Sequence, residues 1–217
     1  SPQTDFTLEP YLNHMTRELA AFGLEAEACL RTRSARSAIE SAFVKMNTRQ
    51  GLVTIGVPAR TIATTERNRL LKIKFEVDTN PPPAAHTATS YLYTPQPFSV
   101  RAYDMQSMFA GKLHAVLARS WGARVKGRDW FDLVWFAGRD VFVSLEHLRA
   151  RLVQTESISP DARFDANTVR RLLRERIATL DVEAARADVQ PFVMDTAQLQ
   201  VWSTEFFLDL AGRIRFE

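Results

Sequence analysis

Apolar residues recur along this chain with two different periods, and the change between them organises it. Near the start, Phe6, Leu8, Tyr11, Leu12, Met15, Leu19 and Phe22 follow mostly three- and four-residue offsets. That spacing predicts a helix over Leu8–Phe22, closed by Gly23. The charged stretch Leu24–Ser37 fits a strand or a second helix. Phe43–Met46 and Leu52–Val57 read as strands on either side of the turn-like Asn47–Gly51, and Thr61–Arg69 reads as loop. Leu70–Asp78 is the clearest strand. Ile73, Phe75 and Val77 alternate there with Lys72, Lys74, Glu76 and Asp78, so one face is expected in a core and the other is a row of charges. Asn80-Pro81-Pro82-Pro83 ends it, because proline cannot donate to a ladder. Tyr91–Tyr93 reads as a further short strand, followed by a Pro95–Val100 connection.

From Asp104 the period turns helical. Asp104 stands where an N-cap acceptor would, and Met105, Met108, Phe109, Leu113, Val116 and Leu117 trace one stripe. Lys112 falls inside that stripe, and Arg119, seven residues on, projects from nearly the same face. After a basic loop, Ala123–Arg128, come Asp129 and the run Trp130, Phe131, Leu133, Val134, Trp135 and Phe136, expected to be largely buried. Asp132 sits in its middle. Past Gly138 the pattern stays helical: Leu145–Val153 behind a Ser144 cap, a connector over Ile158–Ala166, Val169–Leu180, then two shorter helices. Strands early and helices late make an α+β fold, a small, mostly antiparallel sheet with a carboxy-terminal helical bundle. The expected domains are a sheet domain over residues 1–103 and a helical domain over 104–217.

Composition narrows the class without naming a function. The chain has 217 residues, 46% hydrophobic and 24% charged, with a net charge of +3, an ordinary globular balance. No apolar run approaches the ~20 residues that span a bilayer, and the opening SPQTDFTLEP lacks the basic head and apolar core of a signal peptide. The one cysteine, Cys29, leaves no internal disulfide and suits a reducing cytoplasm.

The candidate chemistry is charge set in apolar surroundings. A lysine on a core-facing stripe must snorkel, find a carboxylate or meet an anionic ligand. Lys112 is joined by Arg119, Lys126 and Arg128, a set that can bind phosphates. Asp132 is expected to pair with Lys112, Arg119 or Arg128, since a carboxylate among aromatics is costly alone. Asp129 fits an N-cap. Glu76 and Asp78 share a strand face and could hold a divalent cation, although Lys72 and Lys74 could equally balance them on a solvated face. His14, His86, His114 and His147 have no metal-ligand spacing, and no Gly-rich phosphate loop occurs.

Three stretches together, LKIKFEVDTNPP (Leu71–Pro82), MFAGKLHAVLAR (Met108–Arg119) and KGRDWFDLVWF (Lys126–Phe136), resemble the AbiEii/AbiGii toxin family of nucleotidyltransferases. The tail around Asp181–Ile214, with Trp202-Ser203 and Phe206-Phe207, is similar too. The resemblance implies a nucleotidyltransferase-like fold and transfer of a nucleotide from a nucleoside triphosphate, with tRNA among the acceptors. It also implies Mg²⁺ and a cognate antitoxin, in a toxin–antitoxin or phage-defence system. By this likeness Lys112 meets the triphosphate, Asp129 and Asp132 are the acidic pair of the last motif, and Glu76, with Asp78, contributes to metal binding. Lys74, Arg119 and Arg128 are the expected substrate contacts.

The family's first motif, a Gly-Ser followed by an Asp-x-Asp strand, should lie upstream of the first helix, and nothing before Phe6 can hold it. The segment by itself is therefore expected to be inactive, with Glu76, Lys112 and Asp132 converging on one cleft. The rival expectation is a non-catalytic module of the same shape that binds nucleic acid or protein.

Overall fold

The computed structural model describes residues 6–31, 38–94, 96–119 and 125–217. Residues 32–37 of the ambiguous charged stretch, Pro95 of the expected connection, and Ala123 and Arg124 of the basic loop lie outside the described residues. The chain forms two compact units, Ser1–Pro81 and Pro82–Glu217.

In the first unit, helix α1 (Glu9–Ala21) is followed by β1 (Glu27–Leu30) and β2 (Ile39–Asn47), two short helices α2 (Thr48–Thr54) and α3 (Ala59–Ala63), and β3 (Leu70–Asp78). The strands make an antiparallel sheet with β2 in the centre. Leu8 and Leu12 pack on Ala42 and Val44, with Phe75 and Val77 half-buried beside them. Tyr11 and Phe22 depart from the expected stripe and are exposed. Gly23, at φ +73°, ends α1 as its lack of a Cβ allows. Leu52–Val57 is not a strand. Val53 and Ile55 favour one, but the Asn47 side chain accepts from Gln50 N–H at 3.2 Å and caps a helix there. The apolar face of β3 is only half covered, because Ile73 and Leu71 remain 46% exposed.

The second unit opens with an antiparallel hairpin of β4 (Thr87–Leu92) and β5 (Phe98–Tyr103). The expected Pro95–Val100 connection is therefore partly strand, decided by pairing such as Ser90 with Val100. Among the described residues six α-helices follow: α4 (Met105–Ala118), α5 (Gly127–Ala137), α6 (Leu145–Gln154), α7 (Ala166–Ala178), α8 (Val182–Val189) and α9 (Thr204–Arg213). Side chains of Asp104, Ser144, Asp165, Asp181 and Ser203 cap all of these but α5. One core joins Phe109, Leu113 and Val116 of α4 to Trp130, Leu133 and Phe136 of α5, and on to Leu173, Trp202 and Phe207. Two expected core residues lie outside it. Met108 is 37% and Trp135 38% exposed, and the Arg139 guanidinium lies 3.5 Å from the Trp135 ring centroid.

Candidate functional site

The site is built where α4 and α5 face each other. Residues seven apart on one helix, and three apart on the other, each share a face. Lys112 of α4 and Arg119, its C-cap residue, thus meet Asp132 and Asp129 of α5. Lys112 Nζ lies 2.7 Å from Asp132 Oδ2, with the two side chains 46% and 34% exposed. Arg119 Nη1 donates to both Asp129 oxygens at 3.1 and 3.2 Å, and the Asp129 side chain is only 11% exposed. The pairing expected of Asp132 is present. The more deeply buried carboxylate, however, is Asp129.

Helix α8 decides where α5 starts. Gly127 N–H donates to Asp188 Oδ2 at 3.0 Å, and a Cβ at Gly127 would stand 1.8 Å from the Ala185 carbonyl oxygen. No larger residue fits without moving a helix. Asp129 is therefore not the N-cap. It lies in the first turn, where the positive end of the helix dipole favours its charge. At the other end of α4, the Arg176 guanidinium donates to the carbonyls of Val116 at 3.1 Å and Arg119 at 2.5 Å. These bonds take up carbonyls that a helix end leaves free, and fix the point from which Arg119 reaches Asp129.

Around these pairs lies a pocket of about 400 Å³ lined by Lys112, Arg119, Lys126, Arg128, Asp129, Phe131, Asp132, Val189, Phe192 and Val193. Four cations face two carboxylates, so positive charge is in excess. Among the described residues the pocket's ion pairs are the two above, so Lys126 and Arg128 carry that excess. The Arg128 guanidinium lies 4.8 Å from the Phe192 ring centroid. Sequence reasoning found the charged members and missed Gly127, Asp188, Val189, Phe192 and Val193. No local signal marks the last four, because α8 reaches α5 only through folding. Gly127, between two cations, was the one visible clue.

Lys74, Glu76 and Asp78 lie together on the charged face of β3 in the first unit. Lys74 Nζ is 2.5 Å from Glu76 Oε1, and Ser41 Oγ donates to the same oxygen at 3.4 Å. The hydrogen bond from Lys74 is the main reason that the Glu76 carboxyl lies below its usual pKa. Asp78 Oδ1 accepts from Asn80 N–H at 2.9 Å and closes the turn after the strand. Of the histidines, His147 is buried, with Nδ1 2.8 Å from the Pro83 carbonyl oxygen. Burial, then Arg151, lowers the His114 pKa to about 4.

An excess of fixed positive charge in a concave, partly apolar pocket is the architecture of an anion-binding protein. Sequence comparison makes the class specific. The chain belongs to the family described as Nucleotidyl transferase AbiEii toxin, Type IV TA system, whose model it matches over residues 5–209. No curated protein and no solved structure gives a significant match. Membership bears out the resemblance and the α+β class, and identifies a nucleotidyltransferase toxin of a type IV toxin–antitoxin system. A nucleoside triphosphate substrate and an antitoxin partner are implied at the level of the family. Among the described residues no helix is long and apolar enough to cross a membrane.

Nucleotidyl transfer in this family uses divalent metal ions. The described residues do not fit a complete site for one. They contain no group of three or more His, Cys, Asp or Glu able to hold a metal, and Glu76 is already engaged by Lys74. A hard cation prefers about six oxygen ligands.

Proposed function

We propose that the pocket formed by α4, α5 and α8 binds the phosphates of a nucleoside triphosphate, and that the protein transfers a nucleotide from it to an acceptor such as tRNA. The observation that carries this reading is the surplus of Lys126 and Arg128 beside two cations already held in place. Lys112, aimed by a half-exposed Asp132, can share its ammonium with a phosphate at little cost. Arg119 and Asp129, the more buried pair, hold the two helices at the right separation. Arg128 supplies a guanidinium fork for phosphate oxygens. Lys74 keeps Glu76 ionised, and Glu76 and Asp78 contribute to metal binding only together with further ligands.

Titration of inorganic triphosphate and of ATP, GTP, CTP and UTP into the chain and its Lys112→Ala variant tests the reading. Binding should be salt-sensitive and should weaken about tenfold or more in the variant, with the melting temperature nearly unchanged. Unaltered binding, or a large fall in melting temperature alone, would remove Lys112 from the ligand's contacts.

A further inference from the structure

One ring in the pocket takes no part in the buried core. Phe192 ends a short 3-10 turn, Gln190–Phe192, directly after α8, and it is 63% exposed. It is absent from the core that takes in its neighbours Val189 and Val193. Isolated exposed apolar residues are common on protein surfaces. This one lines a pocket whose other side is cationic, and its ring lies beside the Arg128 guanidinium at 4.8 Å. Phe131, Val189 and Val193 extend the apolar wall. The pocket therefore has two chemistries side by side, fixed positive charge and an open aromatic surface. A free phosphate or an inorganic polyphosphate uses only the first. A planar ring carrying a chain of phosphates uses both, and about 400 Å³ is within the usual range for small-molecule pockets.

We propose that Phe192 is the nucleobase platform of this pocket: the base stacks on its ring while Lys112, Lys126 and Arg128 hold the phosphates. The proposal rests on the nucleotide-binding reading above. Stacking depends on the π-face that every base has, so the platform separates nucleotides from plain polyphosphates and does little to separate one base from another.

The test compares the affinity of ATP, GTP, CTP and UTP with that of inorganic triphosphate, for the 217-residue chain and for Phe192→Ala and Phe192→Trp. The wild type should bind nucleoside triphosphates about tenfold tighter than triphosphate. Phe192→Ala should lose that excess and keep its triphosphate affinity. Phe192→Trp should retain it, with indole fluorescence quenched by nucleotide and not by triphosphate. Equal affinities for triphosphate and nucleotides in the wild type would overturn the platform and leave the phosphate site standing. So would a Phe192→Ala variant that loses both ligands alike, since the ring would then serve only to support Arg128. Failure of every ligand to bind would overturn both readings.

Discussion

The charged face of β3 in the sheet unit and the pocket of the helical unit make opposite use of their charged residues. In the sheet unit the charges stand on an open strand face and neutralise one another locally, as Lys74 does Glu76. The buried apolar cluster beneath is small, formed among the described residues by Leu8, Leu12, Ala42 and Val44. In the helical unit the pocket's charges stand at the edge of a continuous core, and among the described residues two of the pocket's four cations, Lys126 and Arg128, are in neither of its ion pairs. A charge on a strand face can always turn to water. A charge at the end of a packed helix is held where the packing puts it, and preorganised charge is what an anionic ligand needs. The difference teaches why the cation-rich pocket belongs to the unit with the deeper core, while the sheet unit's own pocket, lined by Glu25, Glu27 and Lys45, has no such excess.

The strongest challenge to this contrast is Gly127→Ala. Its Cβ would meet the Ala185 carbonyl at 1.8 Å, so α5 and α8 must separate, at a cost of about 3 kcal/mol. Hydrogen exchange should show faster opening throughout Pro82–Glu217 and no change in Ser1–Pro81. Equal loosening of both units would mean that they are not energetically distinct.

Within the helical unit, the two ion pairs should differ. Arg119→Ala leaves Asp129 nearly buried without its cation and should cost about 3 kcal/mol. Lys112→Ala breaks a half-exposed pair and should cost under about 1 kcal/mol. Urea unfolding of both variants reads the difference directly. Similar losses would erase the division into a structural pair and a ligand-facing pair.

The helical unit also has an acid sensitivity that comes from buried histidine. His114 has its pKa lowered from 6.5 to about 4, chiefly by burial and then by Arg151. Burial lowers His147 as well, against the opposing hydrogen bond to Pro83. Between these values the unfolded chain binds more protons than the folded one. The stabilisation is therefore complete above about pH 6.5 and is lost as pH falls toward about 4. Solvent screening of the half-buried His114 limits its share to about 1–2 kcal/mol. His114→Gln should flatten the acid limb of a stability–pH curve, and an unchanged slope would show that carboxylates elsewhere dominate it.

Much of this molecule was legible in its sequence, because the signals involved are local. The period of α4, its Asp104 cap and the alternation of β3 follow from spacing along a helix and a strand; Asp132's need for a cation follows from its apolar neighbours, and folding selected Lys112 among the three candidates. The family was legible in the same residues, since motif and motif spacing are linear properties. The misreadings share a physical cause. Leu52–Val57 has the residues of a strand, yet residues 52–54 end the helix that Asn47 caps and residues 55–56 follow it as turn. Phe98–Val100 became strand only by pairing with β4. Asp129, expected as a cap, moved into the first turn because Asp188 fixes the start of α5 at Gly127. What tertiary structure alone decided was the pocket's other wall. Phe192 and Val193 lie about sixty residues from the motif they complete, and nothing in their local sequence distinguishes a ring held open to solvent from one folded into the core. Sequence determined which charges the site has; the packing of α8 against α5 determined what faces them.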